Sequence, residues 1–325
     1  MEPITRRGFS LGALSAGLFP AVAPALAQSY PAQDIHLICA FPPGSGADVI
    51  VRFFGEKLRP LVNHPVIVDY KPGASGSIAT EAIARAKPDG YTIMIHGGTA
   101  LSANMYLFKN PKVDVTNALQ IATTLNRQPT MLVVSARSPW KSARELADAM
   151  KQKGDKATYA ISNTVGKVMG ATFKKEAGLT AVEVSYKATS DSYNDIDSGA
   201  VDFAFQDNIS AIAMARQGKL RILGVSTAKR LAAANEYPSM SEQGFPMDMV
   251  GWWAAFVPMA TPRPIVEQIN RWITDIVQSK EGKAFFDTIA SDPWVTTPDE
   301  AQAFFREQVK QWGIYVREAN IEPLG

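Results

Sequence analysis

An apolar run of strand length, followed by a glycine-rich turn and an amphipathic helix, is the feature that most constrains this chain. The run is IHLICAF at residues 35–41, and the turn is PPGSGAD at residues 42–48. Ile50, Phe53 and Leu58 then recur at helical spacing, which predicts a strand, a turn and a helix in that order. Such units are the building blocks of α/β proteins, in which helices cover a sheet.

The turn also predicts an anion site. Backbone N–H groups remain free at a helix N-terminus, and the positive end of the helix dipole favours a carboxylate or similar anion there. A second turn of the same design, KPGASGS at residues 71–77, follows the apolar run VIVDY at residues 66–70. Two such turns can hold one small acid between them. The same pattern is also an ordinary connection in α/β folds, so a purely structural role stays open.

Strand-like runs alternate with helical patterns along most of the chain, which predicts an α/β fold. Hydrophobic content is 46%, and a chain of this length favours two domains over one core. A third turn, SNTVG at residues 162–166, carries hydroxyl and amide side chains suited to a helix N-cap. The predicted strands are residues 91–95, 130–134, 156–160, 181–184, 202–205, 222–226 and 253–258, and the predicted helices include 143–153 and 166–177.

The first 27 residues read as an export signal. Paired arginines in TRRGFSL at residues 5–11 precede a mildly apolar stretch that ends in the small-residue cleavage site ALA at residues 25–27. The arginines point to the twin-arginine route, with an ordinary Sec signal as the alternative. We therefore expect a mature protein that begins near Gln28 in the periplasm. The single cysteine, Cys39, is expected to be a buried core residue.

Composition argues against nucleic acid and against common enzyme classes. Without Arg6, Arg7 and Glu2 of the signal, the 33 basic and 31 acidic residues fall to 31 and 30, so no basic footprint for nucleic acid exists. The three histidines lie far apart in sequence, without metal-ligand spacing. The turn at residues 44–46 lacks the third glycine of a dinucleotide fingerprint. We expect no catalytic residue, metal or cofactor; a periplasmic enzyme acting on a small organic acid remains the alternative, since twin-arginine export often serves oxidoreductases.

Several motifs in register resemble the substrate-binding receptors of the tripartite tricarboxylate transporter family, the Bug-type periplasmic proteins. The run from Phe41 to Asp48, with Arg52, is similar to the family pattern F-P-P-G-G-x-x-D-x-x-A-R. KPGASGSI at residues 71–78 resembles R-P-G-A-G-G-x-I, and KPDGYT at residues 87–92 matches the family run. SYK, GAVD, GKLR and the stretch from residue 253 to TP at 261–262 follow in order. The resemblance spans nearly all of the mature chain.

The resemblance implies a two-lobed type II periplasmic-binding-protein fold, with a mostly parallel sheet flanked by helices in each lobe and a hinge between them. Lobe one is expected at residues 28–125 plus 222–325, and lobe two at residues 126–221. It also implies a receptor, expected to be a monomer, that delivers a small carboxylate, di- and aromatic acids included, to two membrane permease subunits. A receptor that signals to a sensor kinase is the alternative that the chain itself does not separate.

Family roles carried onto this sequence give a ligand-binding set. In the family, the first two glycine turns hold a ligand carboxylate, the turn after the third strand adds two residues, and the second lobe closes with a further loop. The set is Phe41, Gly44, Ser45, Asp48, Ala74, Ser75, Gly76, Ser77, Gly98, Thr99, Asn163, Thr164, Lys167 and Asp207.

Three side chains carry alternatives that the sequence leaves open. Asp48 either accepts a backbone N–H as part of a helix cap or positions a ligand group. His96 is either structural or borders the cleft. Lys167 is either a solvated helix lysine or points into the cleft, where its ammonium would pair with a second ligand carboxylate and favour a diacid.

Overall fold

The computed structural model describes residues 30–187 and 189–324. The export signal expected at residues 1–27 lies outside these residues. The strands are β1 (Ile35–Cys39), β2 (Val66–Tyr70), β3 (Thr92–Gly97), β4 (Leu119–Gln128), β5 (Thr130–Ser135), β6 (Thr158–Ile161), β7 (Val182–Ser185), β8 (Phe203–Asp207), β9 (Leu220–Val225), β10 (Gly251–Pro258) and β11 (Asp292–Pro293). The helices are α1 (Gly46–Val62), α2 (Ser77–Ala84), α3 (Gly98–Leu107), α4 (Val115–Ala118), α5 (Ala143–Lys153), α6 (Thr164–Glu176), α7 (Thr189–Ser198), α8 (Asn208–Arg216), α9 (Arg263–Gln278), α10 (Lys280–Thr288) and α11 (Pro298–Glu318).

The strands form two sheets, one in each of two lobes. The first sheet has the order β11-β4-β10-β3-β1-β2, and the second has the order β7-β6-β8-β5-β9. The chain passes from the first sheet to the second between Gln128 and Thr130, and returns between Val225 and Gly251. We call the elements built on these sheets the first and second lobes. The α/β class and the two-lobed architecture agree with the sequence prediction.

Both sheets are mixed, whereas the sequence predicted mostly parallel ones. In the first sheet β1 pairs in parallel with β2 and β3, while β10 lies antiparallel to β3 and β4. In the second sheet β6 pairs in parallel with β7 and β8, while β5 lies antiparallel to β8 and β9. A strand reached through a helical crossover runs parallel to its predecessor. By contrast, the chain enters β5 and β10 directly from the other lobe. These two strands therefore begin at the edge of the sheet where their neighbours end, and they run antiparallel to them.

Amphipathic helices bury both faces of each sheet. In α9, Ile269, Trp272, Ile273 and Ile276 recur at helical spacing and are all buried, as this pattern predicts for a helix on a sheet. Cys39 is a fully buried, free thiol in β1, which confirms its place in the core.

The last helix, α11, contacts both lobes. It begins with a capping box, in which Thr297 and Glu300 satisfy each other's backbone N–H groups. Trp312 and Val316 share one apolar cluster with residues of both α3 and the second lobe. Near its end, the carbonyl of Glu318 accepts a hydrogen bond from Lys175 Nζ of α6 at 2.7 Å. This helix therefore ties the first lobe to the second on the side where the chain ends.

Candidate functional site

A cleft of about 640 Å³ lies between the two lobes. It is bordered by the carboxyl ends of β1 and β3 in the first lobe and of β6, β7 and β8 in the second, where ligands bind in open α/β sheets. Nine residues of the predicted ligand-binding set line it, and five do not. Those that line it are Phe41, Gly44, Ser45, Ser75, Thr99, Asn163, Thr164, Lys167 and Asp207; the others are Asp48, Ala74, Gly76, Ser77 and Gly98.

The first turn, between β1 and α1, is held by Asp48. Ser45 is the N-cap of α1, and its hydroxyl accepts a hydrogen bond from the N–H of Asp48 at 3.2 Å. The buried Asp48 carboxylate accepts from the N–H of Gly44 at 2.8 Å and from the hydroxyl of Tyr70 at 2.7 Å. Of the two roles that the sequence left open for Asp48, the structure therefore shows acceptance of a backbone N–H. Its carboxylate holds the turn in shape from the side away from the cleft.

This turn leaves donors facing the cleft. Gly46 and Ala47 line the cleft in the first turn of α1, where N–H groups have no intrahelical partner. Within the described chain, the N–H groups of these two residues donate no hydrogen bond to a backbone carbonyl. Free N–H groups at a helix N-terminus are suited to an anion; the sequence predicted an anion site at this turn but named Gly44, Ser45 and Asp48 rather than Gly46 and Ala47.

The second turn, before α2, needs an unusual backbone. Gly73, Ala74, Ser75 and Gly76 all have positive φ, at 121°, 45°, 53° and 89°. Two consecutive non-glycine residues in the left-handed region are strained, and the conformation brings Ser75 to the cleft while Ala74 and Gly76 stay behind it. The carbonyl of Ser75 accepts a hydrogen bond from Asn104 Nδ2 of α3 at 2.8 Å.

The turn between β3 and α3 carries a buried, neutral histidine. His96 Nδ1 lies 2.9 Å from the carbonyl of Gly97, and a carbonyl only accepts, so Nδ1 carries the proton and Nε2 is an acceptor. Burial lowers the pKa of His96 to about 4, which keeps the ring neutral at pH 7. The ring borders the cleft between Phe41 and Trp253, with centroid distances of 5.6 and 6.0 Å.

Gly98 and Thr99 start α3, and Gly97 separates them from this histidine. Thr99 lines the cleft, and its hydroxyl accepts a hydrogen bond from the N–H of Trp252 at 3.2 Å. Gly98 does not line it, because it lies against the ring of Trp252. A Cβ at Gly98 would lie 2.0 Å from that ring, so only glycine fits here.

The turn from the second lobe is a helix N-cap. Asn163 Oδ1 accepts from the N–H of Gly166 at 2.8 Å, the role that its sequence context predicted. Thr164 Oγ1 donates to Asn104 Oδ1 of the first lobe at 2.9 Å. Both side chains line the cleft while bound to protein groups, and Val165, in the first turn of α6, lies beside them.

Asp207 caps α8 at the floor of the cleft. Its Oδ1 accepts from the N–H of Ser210 at 2.9 Å, and burial raises the pKa of its carboxyl group. The carboxylate approaches Gly46 of the first lobe so closely that a Cβ there would lie 2.5 Å from Oδ1. Asp207 therefore occupies the N-terminus of its own helix and marks a close contact between the lobes.

Lys167 faces the cleft, with a glutamate that the sequence did not single out. Its Nζ lies 3.6 Å from Glu183 Oε1 on β7, and the two side chains are 20% and 31% exposed. Both line the cleft. The alternation of polar and apolar residues in a short strand does not show whether a polar residue such as Glu183 faces a cleft or the outer surface. The pairing of Glu183 with Lys167 is therefore visible only in the structure.

Other residues that line the cleft were also missed by sequence reasoning. Tyr186 lies within the SYK motif, which offered a signal, and its hydroxyl donates to Asp195 at 2.6 Å. Trp253 lies in the predicted strand at residues 253–258, but an apolar strand pattern does not reveal which residue reaches the strand end. Gln128 and Tyr193, which also line the cleft, follow no motif.

Two negative findings concern the described residues. Among residues 30–187 and 189–324, no group of three or more histidine, cysteine or acidic side chains is arranged to hold a metal ion. Within the same ranges, no helix combines the length and the apolar character needed to cross a membrane.

Comparison with known proteins identifies the family. The family model described as tripartite tricarboxylate transporter family receptor matches residues 50–321, most of the chain. This protein belongs to that receptor family. A UPF0065 protein of Bordetella bronchiseptica is 30% identical over 305 residues, which cover 93% of this chain and 90% of the relative.

Solved structures of other proteins share this fold. A protein of R. palustris solved with adipate has a TM-score of 0.86 at 24% identity, over 91% of this chain and all of that one. The periplasmic binding protein BugD has a TM-score of 0.83 at 24% identity, with the same coverage. These likenesses establish that the receptor has the fold of periplasmic binding proteins.

Proposed function

We propose that this protein is a periplasmic receptor that captures a small carboxylate between its lobes and delivers it to a tripartite tricarboxylate-type secondary transporter with two membrane subunits. One observation carries the proposal: the N-termini of α1, α3 and α6 open onto one cleft, from both lobes. Each N-terminus offers unpartnered N–H groups and the positive end of a helix dipole. Three such ends around one cleft favour a small anion.

The rest of the cleft suits an organic acid rather than an inorganic ion. Its volume of about 640 Å³ lies within the range of sites for small organic molecules. Phe41, Trp253, Tyr186 and Ile161 line it, and such side chains contact the carbon skeleton of a ligand. The similar R. palustris protein was solved with adipate, which supports a carboxylate as the ligand here.

The mechanism is binding with closure. A ligand that contacts both lobes stabilises the closed arrangement by its difference in affinity for the two states. The permease then reads the closed receptor. No covalent step is part of this function.

Calorimetry on the mature chain from Gln28 tests the binding function. We expect linear and aromatic acids to bind, and the corresponding carboxamides, which match them in shape but lack charge, to bind at least tenfold more weakly, about 1.4 kcal/mol. Equal binding of acid and amide would contradict an anion site. Conversion of any acid by the purified protein would support the enzymatic alternative instead.

Two further experiments test location and delivery. Replacement of both Arg6 and Arg7 by lysine should retain the protein in the cytoplasm if the twin-arginine route exports it. Cells that lack the receptor should lose uptake of the bound acid, and cells given the receptor without the permease should not regain it.

A further inference from the structure

The second lobe presents an opposite-charge pair to the cleft, formed by Lys167 of α6 and Glu183 of β7. Their closest atoms, Nζ and Oε1, are 3.6 Å apart. That separation is longer than a hydrogen bond, so the two groups attract each other without using their hydrogen-bonding capacity on each other. Both side chains line the cleft and are partly buried.

Glu183 is fixed in place from its other oxygen. The hydroxyl of Tyr159, in the neighbouring strand β6, donates to Oε2 at 3.1 Å. Tyr159 itself is buried and stacks on Phe203, so the contact comes from a rigid part of the second-lobe core. Oε1 is left with Lys167 as its neighbour and remains an acceptor for a ligand group.

This arrangement bears on the diacid hypothesis. A second ligand carboxylate that approached Lys167 would also approach Glu183. Repulsion by the Glu183 carboxylate would then offset the attraction of the Lys167 ammonium. An α-amino acid head carries an ammonium and a carboxylate on one carbon atom. Its two charges can match Glu183 and Lys167 at the same time.

We propose that Lys167 and Glu183 form a subsite for an α-amino acid head. Together with the anion site proposed at the first-lobe turns, this subsite selects an acidic amino acid, with its side-chain carboxylate at those turns and its head at this pair. This inference deepens the proposed function and rests on it. Each ionic group of the ligand would meet a partner of opposite sign or a helix N-terminus, and charged hydrogen bonds are the strong ones.

The other charged groups of the cleft do not replace Glu183 as an ammonium partner. Lys187, which lines the same wall and is exposed, repels an ammonium. Asp207 accepts from the backbone of α8 and faces Gly46 on the cleft floor. His96, across the cleft, is neutral at pH 7.

Matched ligand pairs test the proposal by calorimetry at neutral pH. Each pair is a diacid and the same diacid with an α-amino group: glutarate and glutamate, adipate and 2-aminoadipate. We expect the amino acid to bind about tenfold more tightly than its diacid in at least one pair. Glu183→Gln should abolish this preference while diacid binding stays equal or improves. Lys167→Met should weaken both members of the pair.

Controls separate this subsite from folding and from the receptor function. Glutamine can still accept from Tyr159, so Glu183→Gln should keep the wild-type melting temperature. Glu176→Gln, an exposed change at the end of α6, should leave every affinity unchanged. An unaltered preference in Glu183→Gln, or diacids that bind the wild type as tightly as their amino acids, would overturn the subsite alone. Absence of binding by all four acids would also overturn the subsite; the proposed function falls only if the other linear acids and the aromatic acids fail to bind as well.

Discussion

Thr164 Oγ1 of the second lobe donates a buried hydrogen bond to Asn104 Oδ1 of the first lobe at 2.9 Å. The amide nitrogen of the same asparagine donates to the carbonyl of Ser75 at 2.8 Å. One side chain therefore joins the strained second turn of the first lobe to the N-terminus of α6. Since Ser75 and Thr164 both line the cleft, these two hydrogen bonds fix the position of one wall of the site relative to the other when the lobes meet.

Thr164→Val should weaken ligand binding by destabilising the closed arrangement. Valine matches threonine in shape but leaves Asn104 Oδ1 without its donor, and an unsatisfied buried acceptor costs roughly 1–3 kcal/mol. We expect a five- to tenfold loss of affinity, about 1–1.4 kcal/mol, by calorimetry, and a larger radius of gyration by solution scattering. The same change at the half-buried Thr172 of α6 is the control, and an equal loss there would contradict the role of Thr164.

Gly46→Ala should separate binding from stability. A Cβ at this position would lie 2.5 Å from Asp207 Oδ1 and 3.2 Å from Ile209 Cβ, both in the second lobe. Gly46 is the first residue of α1, where alanine restricts the unfolded chain without straining the backbone. The melting temperature should therefore hold while affinity falls at least tenfold, about 1.4 kcal/mol.

The matched control for Gly46→Ala lies in the same helix. Gly55→Ala would place its Cβ 3.5 Å from Leu37, an ordinary contact within the first lobe. We expect this variant to bind ligand like the wild type. A comparable loss of affinity in both variants would show that the approach of Gly46 to Asp207 is not what limits closure.

His96 should make the protein less stable as pH falls. Burial lowers the pKa of this ring from 6.5 in a model peptide to about 4. Above pH 6.5 the ring is neutral in both states; between 6.5 and 4 the unfolded chain takes up a proton that the folded protein refuses. This difference favours unfolding by on the order of 3 kcal/mol at pH 4.

Urea unfolding between pH 8 and pH 4 measures this contribution. His96→Gln has no titrating ring, so its stability should fall less steeply over that range than that of the wild type. The two curves compare most directly at pH 8, where the wild-type ring is neutral in both states. Parallel slopes for the two proteins would show that His96 does not contribute to acid sensitivity.

Asp48→Ala should damage the first anion turn more than the fold. It leaves the N–H of Gly44 and the hydroxyl of Tyr70 without their acceptor, and we expect a loss of about 1–3 kcal/mol in unfolding free energy. Ligand affinity should fall further, because the turn that presents Gly46 and Ala47 loses its brace. Tyr70→Phe removes only one of the two bonds and should have a smaller effect on both; an equal effect would assign the brace to the tyrosine alone.

Local patterns predicted the elements of the fold well, because each element follows from its own residues. The predicted helix at 143–153 coincides with α5, and the predicted strand at 253–258 lies within β10. Strand direction was less accessible. A buried apolar run has the same pattern in either direction. The residues of β5 and β10 therefore did not show that these strands start at the cleft and run antiparallel to their neighbours.

Long-range contacts explain what the sequence could not supply about the site. The turns themselves were visible as glycine-rich runs after apolar strands. The partner of Lys167 was not, because Glu183 lies on a different element and pairs with it only through the packing of α6 on the sheet. The close approach of Gly46 to Asp207 likewise joins residues from two lobes, far apart in the chain.

The attachment of α11 to both lobes limits how the cleft can open. Trp312 packs among residues of both lobes, and Glu318 receives the Lys175 ammonium of α6. Opening of the cleft must therefore bend around these contacts or break them. If α11 stays attached to both lobes during opening, we expect solute to enter and leave on the flank away from this helix.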